Sequence, residues 1–159
     1  KIGYVGAFPY AEVISGYTSF FLGARSVCPS VTMEVTFTGS WYDETAEKEG
    51  ANKLIENGCA VALASDLNPG SCFTNNIPLL VALGCIYMGM SIEEVITALT
   101  INGAAAVDRA DMIGSLEPGK KADIIFLKFP SIHFMPYHST INLVETVIKN
   151  GETVYHKEW

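Results

Sequence analysis

Short apolar runs alternate with stretches of helical periodicity through the first part of the chain. The runs are bounded by glycine or carry β-branched residues in period two, which is typical of strands, and the stretches between them space apolar residues as helices do. Asp43 or Thr45 is a suitable N-cap for the second helix, and Asn57 with Gly58 is a suitable end. The predicted strands are 2–7, 32–38 and 59–65, and the predicted helices are 11–27 and 44–57.

This alternation of strands and helices predicts an α/β fold. Strands joined by helices through short loops run parallel, and a parallel sheet is covered by helices on both faces. We therefore expect a three-layer, flavodoxin-like parallel sheet with strand order 2-1-3, in a domain over residues 1–112. Ligands of such sheets bind at the carboxyl ends of the strands, which here are Phe8, residues 39–43 and residues 66–71.

The pattern changes in the second part of the chain. A strongly apolar stretch over 75–88 predicts one helix, and Ser91 with Glu94 has the spacing of a capping box that opens another helix, to about residue 106. Residues 113–159 are predicted to form a small C-terminal β appendage. Its strands are predicted over 122–128, 145–148 and 153–156, with a two-residue hairpin turn at Asn150 and Gly151.

Composition excludes several classes of protein. The 159 residues are 49% apolar with a mean hydropathy of +0.27, which predicts a soluble globular chain, and no apolar run reaches the roughly 18 residues of a membrane-spanning helix. A net charge of −7 with ten scattered Lys and Arg residues argues against nucleic-acid binding. The first residues form a strand-like run without Met or a signal segment, so we expect a trimmed start or a fragment. Localisation stays open, with recombinant cytoplasmic expression expected.

Asp66 is the first candidate for chemistry because it follows the predicted strand 59–65. A catalytic metal takes about three protein ligands, and no histidine occurs in the chain before His133. We therefore favour a structural role, in which the carboxylate accepts N–H bonds from residues 68–71 and shapes a turn. Metal-dependent hydrolysis is kept as the alternative.

The three histidines come late in the chain, at His133, His138 and His156. His133 and His138 would share a helix face only if their segment were helical, and Pro130 and Pro136 argue against a helix there. We expect them to mark a polar loop outside the crevice at the strand ends.

Several segments after residue 60 resemble a known family. They are 64–71 (ASDLNPGS), 100–106 (TINGAAA), 114–123 (GSLEPGKKAD), 136–138 (PYH) and 146–151 (TVIKNG). Together they resemble the imidazolonepropionase family of the amidohydrolase superfamily over about residues 60–159. The resemblance implies the eighth strand of a barrel, its helix and the last strands of a side β-sandwich. It also implies a hydrolase of histidine degradation that cleaves a cyclic amide C–N bond with zinc or iron.

The same resemblance implies roles for the residues that follow the predicted strand. It makes Asp66 a metal ligand and places Asn68, Gly70 and Ser71 against the substrate. The family's ligand histidines lie on earlier strands that this chain lacks. We therefore expect Asp66 to be a vestigial ligand, no intact catalytic set, and no tightly bound cofactor.

The beginning of the chain resembles a different family. Residues 1–9 (KIGYVGAFP) and 38–43 (TGSWYD), with the charged helix that follows, are similar to the second lobe of the basic membrane protein family. These are membrane-anchored substrate-binding lipoproteins of ABC transporters, several of which bind purine nucleosides. The resemblance implies that Phe8 and Trp41 stack on a purine. The alternative is that both side chains cover the end of the sheet or face the later helices.

The two resemblances predict a composite chain with a seam near residues 58–63. An engineered chimera without intact activity is the favoured interpretation, and a natural gene fusion or a mis-assembled sequence is the alternative. Strands of the appendage would leave an unpaired edge, so we expect a homodimer or swapped oligomer formed through residues 122–156. A residual amidohydrolase and a residual nucleoside-binding module remain the competing functions.

Overall fold

The computed structural model of the chain describes residues 1–70 and 72–158. Contacts divide it into two compact units. Unit 1 consists of Lys1–Ala62 with Ala105–Asp108, and unit 2 consists of Leu63–Ala104 with the chain from Arg109 onward. In the described part of the chain, no helix has the length and apolar character needed to cross a membrane.

The elements follow the predicted order, except that the strand predicted over 59–65 is absent, one predicted helix is divided in two, and a 3-10 helix replaces a predicted loop. The strands are β1 (Ile2–Gly6), β2 (Met33–Phe37), β3 (Ile124–Leu127), β4 (Val144–Lys149) and β5 (Glu152–His156). The helices are α1 (Ala11–Val27), α2 (Glu44–Glu56), α3 (Ile77–Ile86), α4 (Ile92–Leu99) and α5 (Ile101–Ala106), with a 3-10 helix over Ile132–Tyr137. The α/β character and the C-terminal antiparallel sheet are therefore confirmed.

Unit 1 is a parallel βαβ unit with helices on both faces of its sheet. Strands β1 and β2 pair in parallel from Ile2 opposite Met33 to Gly6 opposite Phe37. Tyr4 contacts Tyr17 of α1, with ring centroids 5.4 Å apart. Its neighbour Gly3 faces α2, because a Cβ at Gly3 would meet Leu54. Since adjacent strand residues point to opposite faces, α1 covers one face and α2 covers the other.

The predicted third parallel strand over 59–65 is wrong as a full strand. A single isolated parallel bridge joins Ile2 to Ala60, and residues 61–67 form no strand. The physical reason is a hydrogen bond that the backbone of this segment makes elsewhere. The Leu63 N–H donates to the Ala98 carbonyl at the end of α4, 3.2 Å away, and is not available to a strand partner. The strand order 2-1-3 stays a prediction.

Helix α4 of unit 2 begins at the N-cap that the sequence predicts. Ser91 and Glu94 form the predicted capping box, with the Ser91 N–H donating to the Glu94 carboxylate at 2.8 Å. The helix predicted to reach residue 106 is instead interrupted at Thr100 (φ −111°, ψ −83°), so that α4 and α5 are separate. The Thr100 hydroxyl donates to the Ile96 carbonyl at 2.6 Å, and this local bond competes with helix continuation.

The core of unit 2 forms where α3 and α4 pack together. Val81 and Val95 are fully buried, and Ile92 joins them. Gly84 allows the two helices to approach, since a Cβ at that position would lie 2.7 Å from Val95 Cγ2. This contact buries one side of α3.

The C-terminal sheet is antiparallel in the order β3-β4-β5. Asn150 (φ +52°) and Gly151 (φ +84°) form the predicted two-residue hairpin turn between β4 and β5. Two positive φ values are the signature of a type I′ turn, which matches the twist of the flanking strands. Asp123, just before β3, accepts a bond from the Asn150 N–H at 2.9 Å and ties the start of β3 to this turn.

The segment with His133 and His138 was predicted to be a loop, and this prediction is wrong. It forms the 3-10 helix, with Ser131 as N-cap accepting from the His133 N–H at 3.3 Å. A short 3-10 helix tolerates Pro136 because few backbone bonds are lost. Two hydrogen bonds stabilise the remaining turns: the Phe134 N–H donates to the Ser131 carbonyl, and the His138 N–H donates to the Met135 carbonyl.

Candidate functional site

Three aromatic rings meet after the carboxyl ends of β1 and β2 in unit 1. Phe8 stacks on Tyr10 with centroids 5.1 Å apart and planes inclined by 15°. Trp41 approaches Phe8 edge-on, with centroids 5.6 Å apart, and Tyr10 at 6.1 Å. We call Phe8, Tyr10 and Trp41 the aromatic cluster. Phe8 and Trp41, predicted from the two separate strand ends, are thus brought together.

Backbone hydrogen bonds beyond the β1–β2 ladder place these rings side by side. The Thr38 N–H donates to the Gly6 carbonyl at 2.9 Å, and the Gly39 N–H donates to the Ala7 carbonyl at 2.8 Å. Gly39 then has φ +75°, which sends the chain back over the strand end. Trp41 follows two residues later, opposite Phe8.

The cluster presents aromatic surface to solvent. The Trp41 side chain is 63% exposed and Tyr10 is 49% exposed, whereas Phe8 is half-buried beneath them. Exposed ring faces of this kind can stack on flat aromatic rings such as nucleobases. Tyr10 was missed by sequence reasoning, although the Phe8-Pro-Tyr10 sequence places two aromatic residues on either side of a turn and could have indicated it.

The chain beside Trp41 is acidic. The Tyr42 hydroxyl donates to the Glu44 carboxylate, and this hydrogen bond raises the pKa of Tyr42 above its ordinary value. Asp43 caps α2 by accepting from the Ala46 N–H at 2.9 Å. A ligand carried by this surface would therefore meet carboxylates at its rim, which disfavours anionic groups such as phosphate.

Asp66 lies in a tight turn of unit 2 and has φ +51°. The side-chain amide of Asn68 donates to the Asp66 backbone carbonyl at 2.6 Å and approaches its carboxylate at 3.4 Å. The Asn68 side-chain oxygen accepts from the Gly70 N–H at 2.8 Å. Among these described contacts the amide of Asn68, rather than the carboxylate of Asp66, organises the turn.

The turn is closed by a bridge between Asn68 and Cys72, in which the Asn68 N–H donates to the Cys72 carbonyl at 2.8 Å. A Cβ at Gly70 would lie 3.2 Å from the Asn68 side-chain oxygen, so a side chain there would require a small shift of that amide. Three of the residues implied as metal or substrate contacts, Asp66, Asn68 and Gly70, therefore share one turn. Ser71, the fourth, lies outside the described residues.

Each histidine has a described hydrogen-bonding partner. His133 Nδ1 lies 3.1 Å from the Ser131 hydroxyl, and its Nε2 lies 3.6 Å from the Glu93 carboxylate. His138 Nδ1 lies 2.8 Å from the Phe134 carbonyl oxygen. His156 Nδ1 lies 2.8 Å from the Thr146 hydroxyl.

The donor set around Asp66 does not fit a zinc or iron centre. A catalytic site of either metal needs about three nitrogen, sulphur or carboxylate ligands. Over residues 1–70 and 72–158, no three His, Cys, Asp or Glu side chains are grouped so that they could hold a metal ion. The contacts of Asp66 found in the turn come from an amide, which is a poor ligand for these metals.

The chain belongs to the amidohydrolase family, whose family model matches residues 44–154. A second model, that of the ABC transporter substrate-binding protein PnrA-like family, matches residues 1–69. The two matches overlap over residues 44–69, which include the predicted seam at 58–63. Both family resemblances found in the sequence are therefore confirmed.

The chain is also similar to individual imidazolonepropionases. It is 67% identical over 102 residues to the imidazolonepropionase of Parabacteroides distasonis, covering 64% of this chain and 24% of that protein. It is 52% identical over 133 residues to the imidazolonepropionase of Porphyromonas gingivalis, covering 84% of this chain and 31% of that protein. The chain thus spans about a quarter to a third of the length of these relatives.

A solved structure shares the fold. The crystal structure of an amidohydrolase from Thermotoga maritima MSB8 superposes with a TM-score of 0.55 at 22% identity. The superposition covers 89% of this chain and 36% of that one. The likeness concerns the fold of a portion of that chain.

Proposed function

We propose that the chain is a composite without intact activity, which joins a lobe fragment of a nucleoside-binding protein to a C-terminal fragment of an imidazolonepropionase. The observation that carries this proposal is the pair of family matches on one chain, to residues 1–69 and to residues 44–154. An engineered origin is part of the proposal. The expected division is a parallel-sheet domain over 1–112, of strand order 2-1-3, and a β appendage over 113–159.

The geometry around Asp66 supports the absence of hydrolytic activity. The amide of Asn68 occupies this turn, and each histidine lies against a local hydroxyl, carbonyl or carboxylate. The first competing function is a residual metal-dependent amidohydrolase acting on the imidazolone ring. In that case Asp66 would bind the metal, and Asn68, Gly70 and Ser71 would contact the substrate.

The second competing function is a purine nucleoside-binding module, and the aromatic cluster is the observation that favours it. Stacking of a base on one aromatic face contributes roughly 1–3 kcal/mol. Micromolar affinity needs about 8 kcal/mol. The aromatic cluster by itself would therefore bind a purine only weakly. Its affinity would lie far below that of a transport protein.

Two measurements test the proposal against both competitors. We expect no hydrolysis of imidazolonepropionate by the chain with added zinc or iron; turnover that the Asp66→Ala variant abolishes would establish the amidohydrolase. Calorimetric titration with inosine or guanosine should give no saturable signal. Micromolar binding that Trp41→Ala removes, and that Tyr42→Ala preserves, would establish the nucleoside module.

We also propose that the chain forms a homodimer through the strands of residues 122–156. β5 lies at one side of the described sheet, its residues are exposed, and Val154 is 61% exposed. Antiparallel pairing of two copies centred on Val154 would place Glu152 opposite His156 of the second copy, which are complementary when the histidine is protonated.

Light scattering at high micromolar concentration tests this dimer. We expect about twice the monomer mass, and Val154→Lys should reduce it to the monomer by placing two like charges at the centre of the pairing. Leu116→Lys, at an exposed position outside the strands, is the matched control and should leave the dimer intact. A strictly monomeric mass for the unmodified chain would contradict the dimer.

A further inference from the structure

Helix α3 is apolar on the side that packs and on the side that does not. The chain carries no Asp, Glu, Lys or Arg between residues 67 and 92. Val81 and Gly84 are buried against α4, whereas Leu83, Ile86 and Tyr87 are 38%, 66% and 69% exposed. The last three residues are spaced as i, i+3 and i+4 and so share one face, which we call the outer face of α3.

A helix that is apolar all round is characteristic of a buried position. Surface helices place charged residues on the side away from the core, and the outer face of α3 has none. Each exposed Ile or Tyr on such a face forgoes about 25 cal/mol per Å² of apolar area that it could bury. The outer face therefore has the composition of a surface that another polypeptide covers.

The comparisons indicate what kind of polypeptide could cover this helix. The matched region is only 24% of the Parabacteroides distasonis relative and 31% of the Porphyromonas gingivalis relative. The superposed region is 36% of the Thermotoga maritima chain. The chain therefore spans only a minor part of each relative.

A second copy of this chain would cover the outer face of α3 less well than a larger partner. A two-fold contact would place the same three side chains against themselves, and stable interfaces bury about 800 Å² on each partner. A larger partner can cover the outer face together with exposed apolar residues elsewhere in unit 2, such as Leu67 and Phe73.

We propose that the outer face of α3 binds the remainder of an amidohydrolase chain, so that this protein can complement an imidazolonepropionase from which the corresponding segment has been removed. The inference rests on the proposed function, because it treats residues after the seam as a fragment that keeps its binding surface. It adds a partner of defined kind, a polypeptide that carries the rest of that fold.

Co-expression tests the inference directly. The probe is the Parabacteroides distasonis imidazolonepropionase with its matched 102 residues deleted and an affinity tag attached. We expect the tagged remainder to become more soluble in the presence of this chain and to retain it on the affinity resin. A remainder that stays insoluble, or that is recovered without this chain, would overturn the inference.

Two matched variants locate the contact. Ile86→Glu places a charge on the outer face and should lower the retained fraction by about tenfold, equivalent to about 1.4 kcal/mol. Leu22→Glu changes a comparably exposed apolar residue, 58% exposed on α1, and should lower retention less than twofold. Circular dichroism of both variants checks that they fold. Equal losses of retention in both variants would overturn the assignment to α3. An oligomer mass that is lowered by Ile86→Glu but not by Leu22→Glu would also overturn it, because it would show that a second copy covers this face.

The outcomes separate this inference from the proposed function. Hydrolysis by the isolated chain would overturn the proposed lack of activity. Failure of retention, with no hydrolysis by the isolated chain, would overturn the partner proposal alone.

Discussion

Helices α2 and α3 have opposite relations to their surroundings. α2 buries Leu54 and directs its charged residues to solvent; these are Glu44, Glu47, Lys48, Glu49, Lys53 and Glu56. α3 buries Val81 on one side and exposes Ile86 on the other, with no charged residue at all. α2 therefore presents a charged face to solvent, whereas the outer face of α3 presents exposed apolar residues.

Core truncation should give the largest effect and show whether the two units are separately stable. Leu54→Ala in unit 1 should lower the free energy of unfolding by about 3 kcal/mol, because it leaves a cavity under α2. Val95→Ala in unit 2 removes two methyl groups from the α3–α4 contact and should cost about 2 kcal/mol.

Hydrogen exchange measured by peptide would assign each of these losses to a unit. We expect faster exchange in residues 1–62 for Leu54→Ala and in residues 63–104 for Val95→Ala. Identical acceleration in both units for either variant would show that they unfold as one and would remove the contrast between α2 and α3.

A pair of glycine variants compares the packing of the same two helices. Gly84→Ala in α3 would place a Cβ 2.7 Å from Val95 Cγ2, and we expect a loss of about 1–2 kcal/mol from crowding. Gly50→Ala in α2 would place a Cβ 3.3 Å from Val5 and Thr36, which crowds them mildly. Alanine also has a helix propensity about 1 kcal/mol more favourable than that of glycine, and this gain offsets the crowding. Urea unfolding checks both, and a stabilised Gly84→Ala would contradict the close α3–α4 contact.

Removal of the N-caps should give a smaller difference in stability between α2 and α3. Asp43→Ala removes the acceptor for the Ala46 N–H at the start of α2 and should cost about 1 kcal/mol. Asn76→Ala removes a cap for the Leu79 N–H of α3 and also the bond to the Ser139 carbonyl, so its loss should be somewhat larger. Thermal unfolding of the two variants measures the difference. An equal or smaller loss for Asn76→Ala would show that the bond to Ser139 adds nothing.

The smallest expected effect is a pH dependence at the C-terminal sheet. The Lys149 ammonium, and then the Asn150 N–H, hold the pKa of Asp123 below its ordinary value. A carboxylate with a lowered folded-state pKa contributes stability above the pKa of the unfolded chain, near 4, and this contribution is lost as pH falls through the folded-state value. The Tm difference between the unmodified chain and Asp123→Asn should therefore shrink below about pH 4. A difference that stays constant down to pH 2.5 would contradict this role.

Much of the local structure could be predicted because it depends on neighbours in sequence. Asp43 and Ser91 are caps whose partners lie three residues away, so spacing alone identifies them. The hairpin at Asn150 and Gly151 depends on two residues that tolerate positive φ. Phe8 and Trp41 followed from the rule that parallel strands end at one edge.

The missed features depend on partners distant in sequence or on bonds that compete locally. The apolar run 59–65 has the composition of a strand, but the Leu63 N–H bonds to Ala98, which no periodicity reveals. The break between α4 and α5 arises at Thr100, whose hydroxyl bonds to the preceding turn. In the Asp66 turn, the controlling group is the Asn68 amide, since a carboxylate and an amide are equally plausible turn residues by sequence.

The tie between Asp123 and the hairpin has a consequence for labelling. Loop tips usually accept inserted peptides, but the Gly151 N–H donates to the Ala122 carbonyl at 3.0 Å and the Asn150 N–H donates to Asp123. A tag inserted between Asn150 and Gly151 would separate two donors whose acceptors, Asp123 and Ala122, lie 27 and 29 positions earlier in the chain. A fluorophore or epitope placed there would therefore loosen the start of β3 as well as the turn.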